Sequence, residues 1–372
     1  MKHTKQWVAL GCAVLLVLVT GISCFFIGKE YEAAQNRKEQ ELNVLLNRSE
    51  LEGLGNVEGK IYVTGHKSPD SDTVCSSIAY AALLQKMGYD AIPVVLGGIN
   101  KETEFILKEA GVETPALLED ASGLNFVLID HGDYSQSADG MDKANIISII
   151  DHHNNGTVQT GNPIIYDARP LGSTGTIVWI RYRNYGIEPD KQTAFLLVGA
   201  ILSDTGNFQS ATTTTADREA VNALCDLAGI SDKDALYRDM YKKSISYEGM
   251  SDEEIFYSDY KEYEVGGKKY SIGCISVYDE DDAKDMSERM KKIVPQAAAA
   301  TGMDMAFAQI NIFHDGISRT FIVPSDDTAA DVIRSAFPDV TFDGVSFNFN
   351  PGMSRKQVLV PAITPVLESL SE

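Results

Sequence analysis

The chain opens on an unbroken apolar run, Trp7 to Ile27, with Lys2 and Lys5 before it and Lys29, Arg37 and Lys38 after it. About twenty apolar residues match a helix that crosses a bilayer. The run predicts a membrane anchor or signal segment over 1–28. Its length and the lack of a clear cleavage site favour an uncleaved transmembrane helix. Residues 29–58 are rich in Glu, Gln, Asn, Arg and Leu and read as a charged helical stalk and linker. From 59 onward, short apolar runs of strand length alternate with segments of helical spacing. Ile61–Thr64, Ala91–Val95, Asn125–Ile129 and Ile146–Ile150 read as strands. Thr73–Met87, Lys101–Ala110, a segment from Ser173 or Thr174 to Tyr185, Gln192–Leu202 and Arg218–Ala228 read as helices. This rhythm predicts a mostly parallel, doubly wound α/β domain over 59–246. Tyr247–Ser258 reads as a polar linker. Over 259–372, a hairpin about Gly266-Gly267, strands at Asp304–Phe313 and Ile317–Val323, and helices at Glu280–Ala300 and Asp327–Phe337 predict a smaller α/β domain.

Composition narrows the partners. The 372 residues are 44% hydrophobic, enough for two cores, and carry a net charge of −21. Such an acidic chain is not expected to bind a nucleic-acid backbone, which calls for basic patches. It suits a protein that concentrates divalent cations. Of five cysteines, Cys12 and Cys24 lie in the apolar run. Cys75, Cys225 and Cys274 are scattered, with no disulfide framework and no paired metal spacing. The short basic tail before the apolar run slightly favours an extracytoplasmic body, so the sequence predicts a single-pass cell-membrane protein.

Candidate chemistry sits where the apolar runs end. Gly65-His66-Lys67-Ser68-Pro69-Asp70-Ser71-Asp72 follows the first strand, at the sheet edge where open α/β folds place their ligands. One imidazole and two carboxylates suit a divalent transition metal such as Mn²⁺. Alone, the stretch fits a polar loop with an aspartate helix cap better than a metal site. The metal reading gains from recurrence: Asp130-His131, Asp151-His152-His153 and Ser203-Asp204 each follow an apolar run. Ser173 or Thr174 would cap a helix whose free amides meet an anion. The threonine-rich stretch up to Asp217 reads as a structural cap. Near the C-terminus, Ser354-Arg355-Lys356-Gln357 offers a guanidinium fork and an ammonium, a pair suited to phosphate.

Together these motifs resemble the DHH phosphoesterase superfamily, and within it the family II, manganese-dependent inorganic pyrophosphatases. Gly65–Asp72 resembles that family's G-H-x-N-P-D-T-D, with Ser68 for Asn and Ser71 for Thr. Asp130-His131-Gly132-Asp133 resembles D-H-N-E. Ser354-Arg355-Lys356-Gln357, with Val360-Pro361 beyond, resembles S-R-K-K-Q followed by V-V-P. Lys261 fits a further substrate lysine. The resemblance runs from about residue 60 to the C-terminus.

It implies hydrolysis of pyrophosphate to two phosphates by a hydroxide that two metal ions activate, in a cleft between the two domains. It also implies two Mn²⁺ ions (Co²⁺ would serve) bound by His66, Asp70, Asp72, Asp130, His152 and Asp204. His66 and Asp70 would hold one ion, Asp72, His152 and Asp204 the other, and Asp130 would bridge. His153, Lys261, Arg355 and Lys356 would bind the substrate, which arrives with Mg²⁺, and act with Asp130 in catalysis. Asp151 would orient its neighbouring histidine. Relatives of this type dimerise through an edge strand, so a homodimer is expected. Two other readings remain open: an exopolyphosphatase or nucleotide phosphodiesterase on the same scaffold, and a non-catalytic, membrane-tethered metal-binding or sensing protein.

Overall fold

In the computed structural model the described residues are 29–51, 57, 59–314 and 316–370. The chain divides into two compact units. Of the described residues, the first takes those up to Ile99 together with Ile106–Ser231; the second takes Asn100–Phe105 and those from Asp232 on.

In the first unit, helix α1 (29–51) precedes a sheet of six parallel strands. These are β1 (Ile61–Thr64), β2 (Ala91–Val95), β3 (Ala116–Leu117), β4 (Asn125–Ile129), β5 (Asn145–Asp151) and β6 (Ile165–Ala168). The order across the sheet is β3-β2-β1-β4-β5-β6, and every pairing is parallel. Parallel strands need crossover connections, and α2 (Ser71–Lys86) and α3 (Lys101–Ala110) serve the early ones. Helices α4 (Thr174–Asn184), α5 (Lys191–Asp204) and α6 (Thr215–Ala228) follow the last strand. Strands β1, β4 and β5 are apolar almost throughout and buried, as strands covered on both faces must be. The order reverses between β1 and β4. Connections leave the two strands in opposite directions there and open a crevice at their C-terminal ends.

The second unit has its own sheet. Helices α7 (Lys233–Ser244) and α8 (Asp252–Tyr257) lead to the hairpin of β7 (Tyr260–Val265) and β8 (Lys268–Ser276). Helix α9 (Glu280–Thr301) crosses over to β9 (Met305–His314), which runs parallel to β8. Strand β10 (Ile317–Pro324) pairs antiparallel with β9, and α10 (Asp327–Ala336), β11 (Thr341–Phe342), β12 (Phe347–Phe349) and α11 (Val360–Ser369) complete the unit. Apolar clusters cover both faces of this sheet. One gathers Phe256, Met290 and Ile310; the other gathers Phe307, Ile333 and Ile363.

The expected membrane location is corrected here. No helix among the described residues is long and apolar enough to cross a membrane. The run that prompted the expectation lies outside the described residues. The helix that follows it is α1, which is studded with charges and docks on the first unit. Its Arg48 Nε donates to the Tyr185 carbonyl at 2.8 Å, Glu50 lies 3.5 Å from Arg181, and Leu51 is buried.

Candidate metal centre

The crevice between β1 and β4 is where the acids and imidazoles gather. Strand β1 ends at Thr64, and Gly65 turns the chain through a gap too narrow for a side chain. A Cβ there would sit 2.3 Å from Thr73 Cγ2 and 3.0 Å from the Ile129 carbonyl oxygen. The loop then delivers His66 and Asp70. Asp70 is the N-cap of α2, accepting from the Thr73 amide at 2.9 Å through Oδ1. Its other oxygen, Oδ2, lies 3.4 Å from His66 Nε2. The cap role and the ligand geometry therefore belong to one carboxylate, one oxygen each. Asp72, in the first turn of α2, is fully buried. Its Oδ1 accepts from Ser76 Oγ, Ser173 Oγ and the Gly175 amide, each at 2.9 Å, and its Oδ2 accepts from the Thr174 amide at 2.7 Å. The anion met by the first amides of α4 is thus the chain's own Asp72, and Ser173 is the cap.

Asp130 follows β4 and holds the centre of the cluster. It is buried and its φ is +66°, a left-handed conformation unusual for a residue with a side chain. Strain of this kind persists where the surroundings over-determine it. Here the carboxylate is fixed from both sides. Thr73 Oγ1 donates to Oδ2 and Thr174 Oγ1 to Oδ1, both at 2.8 Å. His66 Nε2 is 3.6 Å from Oδ2; His152 Nε2 and His153 Nδ1 are 3.5 and 3.6 Å from Oδ1. The neighbouring His131 is not part of this gathering. Its ring nitrogens meet the Ile129 carbonyl and Ser137 Oγ, and burial lowers its pKa, keeping it neutral.

Strand β5 delivers the pair of histidines. His152 Nδ1 lies 3.0 Å from the Leu171 carbonyl. That nitrogen donates a hydrogen bond to the carbonyl, so in the neutral ring it is Nε2, on the side of the carboxylates, that offers a lone pair to a cation. His153 Nδ1 meets Asp151 Oδ1 at 3.0 Å, and the same oxygen accepts the His153 amide. Asp204 is the last residue of α5, with Oδ2 3.1 Å from His152 Nε2. A carboxylate is disfavoured at a helix C-terminus, where the dipole is negative, so Asp204 needs a compensating positive charge.

The electrostatics state that need directly. Burial lowers the His66 pKa, but Asp130 and Asp70 outweigh it and push it up to about 10. His152 is likewise pushed up to about 10 against its burial, by Asp204, Asp72 and Asp130. Burial raises Asp72, and so does repulsion from Asp130 and Asp204; Asp204 is raised by burial and by Asp130. Among the described residues, three groups of side chains place a donor atom each within 4.8 Å of one another: His66, Asp70 and Asp130; Asp72, His152 and Asp204; and Asp130, His152 and His153. His152 Nε2 is also buried without a hydrogen-bond partner. An orphaned imidazole nitrogen amid crowded carboxylates fits a divalent transition ion.

Sequence reasoning named these acids and imidazoles but missed the hydroxyls and the prop beneath them. Asp217 is fully buried and accepts from the Gly172 amide, Thr176 Oγ1 and the Thr214 amide and hydroxyl. It anchors the loop whose Leu171 carbonyl orients His152. The one available signal was the capping box, Thr214 with Asp217, which reads as helix capping alone.

The basic candidates lie in the second unit. Lys261, Arg355 and Lys356 line one pocket of about 800 Å³. The Arg355 fork is engaged: Nη2 donates to Asp259 Oδ1 at 2.7 Å, and Nη1 to the Asp259 carbonyl at 2.8 Å. Sequence reasoning left Arg355 free for phosphate, because its partner lies 96 positions away.

Comparison with known proteins agrees with this division. The DHH family N-terminal domain matches residues 60–201, and the DHHA2 domain matches residues 227–366. A probable manganese-dependent inorganic pyrophosphatase of Clostridium acetobutylicum is 35% identical over 319 residues, covering 84% of this chain and 99% of the relative. The manganese-dependent inorganic pyrophosphatase of Methanocaldococcus jannaschii is 35% identical over 313 residues, covering 81% and 97%. A crystal structure of a Methanococcus jannaschii protein assigned to the family II inorganic pyrophosphatases superposes with a TM-score of 0.50 at 33% identity, covering 82% of this chain and 99% of that one.

Proposed function

Because this chain belongs to the manganese-dependent inorganic pyrophosphatases, we infer that it hydrolyses inorganic pyrophosphate to two phosphates with Mn²⁺ as its ion. The observation that carries the reading is the pair of ligand groups that meet at Asp130. His66 and Asp70 would hold one ion, Asp72, His152 and Asp204 would hold the other, and Asp130 would serve both. Bound there, a pair of divalent ions supplies Lewis acidity to phosphate oxygens and makes water acidic enough to react near neutral pH.

The side chains supply the rest. Asp130 fixes the separation of the two ligand groups. Asp151 Oδ1 accepts a hydrogen bond from His153 Nδ1–H and raises the pKa of the ring, which favours the protonated form of His153 beside a polyanion. Its side chain is 55% exposed, open to a substrate. Lys261 and Lys356 would neutralise phosphate oxygens, and Arg355, held by Asp259, would add its positive charge rather than a free fork. Mg²⁺ accompanies the substrate.

The test is phosphate release from pyrophosphate, tripolyphosphate and a cyclic dinucleotide, with Mn²⁺ supplied or stripped. Fast, Mn²⁺-dependent release from pyrophosphate is expected. Preference for either other substrate, or no dependence on Mn²⁺, would overturn the reading.

A further inference from the structure

Two threonines stand in equivalent places on either side of Asp130. Thr73, in the first turn of α2, gives its amide to Asp70 Oδ1 at 2.9 Å and its hydroxyl to Asp130 Oδ2 at 2.8 Å. Thr174, first residue of α4, gives its amide to Asp72 Oδ2 at 2.7 Å and its hydroxyl to Asp130 Oδ1 at 2.8 Å. Each therefore ties the shared carboxylate to an aspartate of one ligand group only. The division is consistent down to the oxygen. Thr73 holds the Asp130 oxygen that faces His66, and Thr174 holds the one that faces His152. Both side chains are buried, so neither hydroxyl has water as an alternative.

We propose that Thr73 and Thr174 are paired positioning residues. Each sets the direction of one Asp130 oxygen and, through its amide, the aspartate that completes the ligand group on that side. The inference rests on the two-ion reading above. A carboxylate oxygen offers two lone-pair directions, and a hydroxyl that occupies one leaves the other aimed at the cation. Ordinary hydroxyl burial would need any nearby acceptor. It would not sort both amides and both hydroxyls onto matching sides.

The experiment compares wild type with Thr73→Val, Thr174→Val, Thr73→Ser and Thr174→Ser, with an alanine variant wherever valine prevents folding. Mn²⁺ binding is titrated on the stripped full chain, and electron paramagnetic resonance reads whether the bound ions are exchange-coupled. Anomalous diffraction at limiting Mn²⁺ reads which side is filled. Wild type should bind two coupled ions. Thr73→Val should weaken the ion beside His66 and Thr174→Val the ion beside His152, each by about 10–100-fold, with the coupled signal giving way to that of isolated Mn²⁺. The serine variants should restore coupling and affinity. Wild-type binding and coupling in the valine or alanine variants, while wild type holds its two ions, would overturn the pairing alone. Serine variants as damaged as valine would also overturn it, since shape rather than the hydroxyl would then matter. Failure of wild type to bind two ions would overturn the two-ion reading and this inference with it.

Discussion

At the scale of single residues, carboxylates crowded about Asp130 repel one another and favour a cation among them. Asp130→Ala removes the carboxylate proposed to be shared while leaving the left-handed backbone position in place. It is expected to abolish Mn²⁺-dependent phosphate release while circular dichroism of the stripped protein stays native. Arg355→Ala is expected to raise KM for pyrophosphate about 10-fold, the range of a lost charged hydrogen bond, with Mn²⁺ content unchanged. Loss of metal in that variant would contradict its assigned place. The acids and imidazoles were legible in sequence because each follows an apolar run that ends at the sheet edge. Thr73 and Thr174 were not, because a hydroxyl near a helix start looks the same whether it caps the helix or holds a remote carboxylate. Nor was the engagement of Arg355 by Asp259, which depends on how β7 and the turn at Ser354 come together.

At the scale of elements, helix ends do the aiming. The first amides of α4 neutralise Asp72, the cap of α2 is Asp70, and the far end of α5 presents Asp204. The loop before α4 is held by Asp217, which satisfies four donors. Asp217→Ala leaves these donors buried and unpaired. It should cost about 3 kcal/mol of stability, read as a lower urea midpoint, and should loosen His152 and weaken Mn²⁺ binding. Unchanged stability would contradict the prop. Most helices and long strands were legible because their apolar spacing is unbroken. The two-residue β3 and the half-exposed β6 lack such a run, so pairing with longer neighbours rather than local pattern defines them.

At the scale of the whole molecule, strand alternation announced a parallel sheet, but not its order. That order, with its reversal between β1 and β4, brings the loops after these strands to one crevice. The acidic balance of the chain also has a consequence for pH. Without metal, His66 and His152 hold protons up to about 10, whereas an unfolded histidine loses its proton near 6.5. Raised histidine values stabilise the fold fully below 6.5, and that contribution is lost as pH climbs through about 10. The raised Asp72 and Asp204 carboxylates act in the same direction. The metal-free protein should therefore lose thermal stability across that window. Mn²⁺ affinity should rise over the same window, because each ion displaces protons. Calorimetry in two buffers of different ionisation enthalpy should register the release, and binding without it would contradict the histidine assignments. The central claim is most directly tested by diffraction from Mn²⁺-soaked crystals at the manganese absorption edge. Two anomalous peaks are expected, one beside His66 and Asp70 and one beside Asp72, His152 and Asp204, with Asp130 between them. A single peak, or peaks away from Asp130, would contradict it.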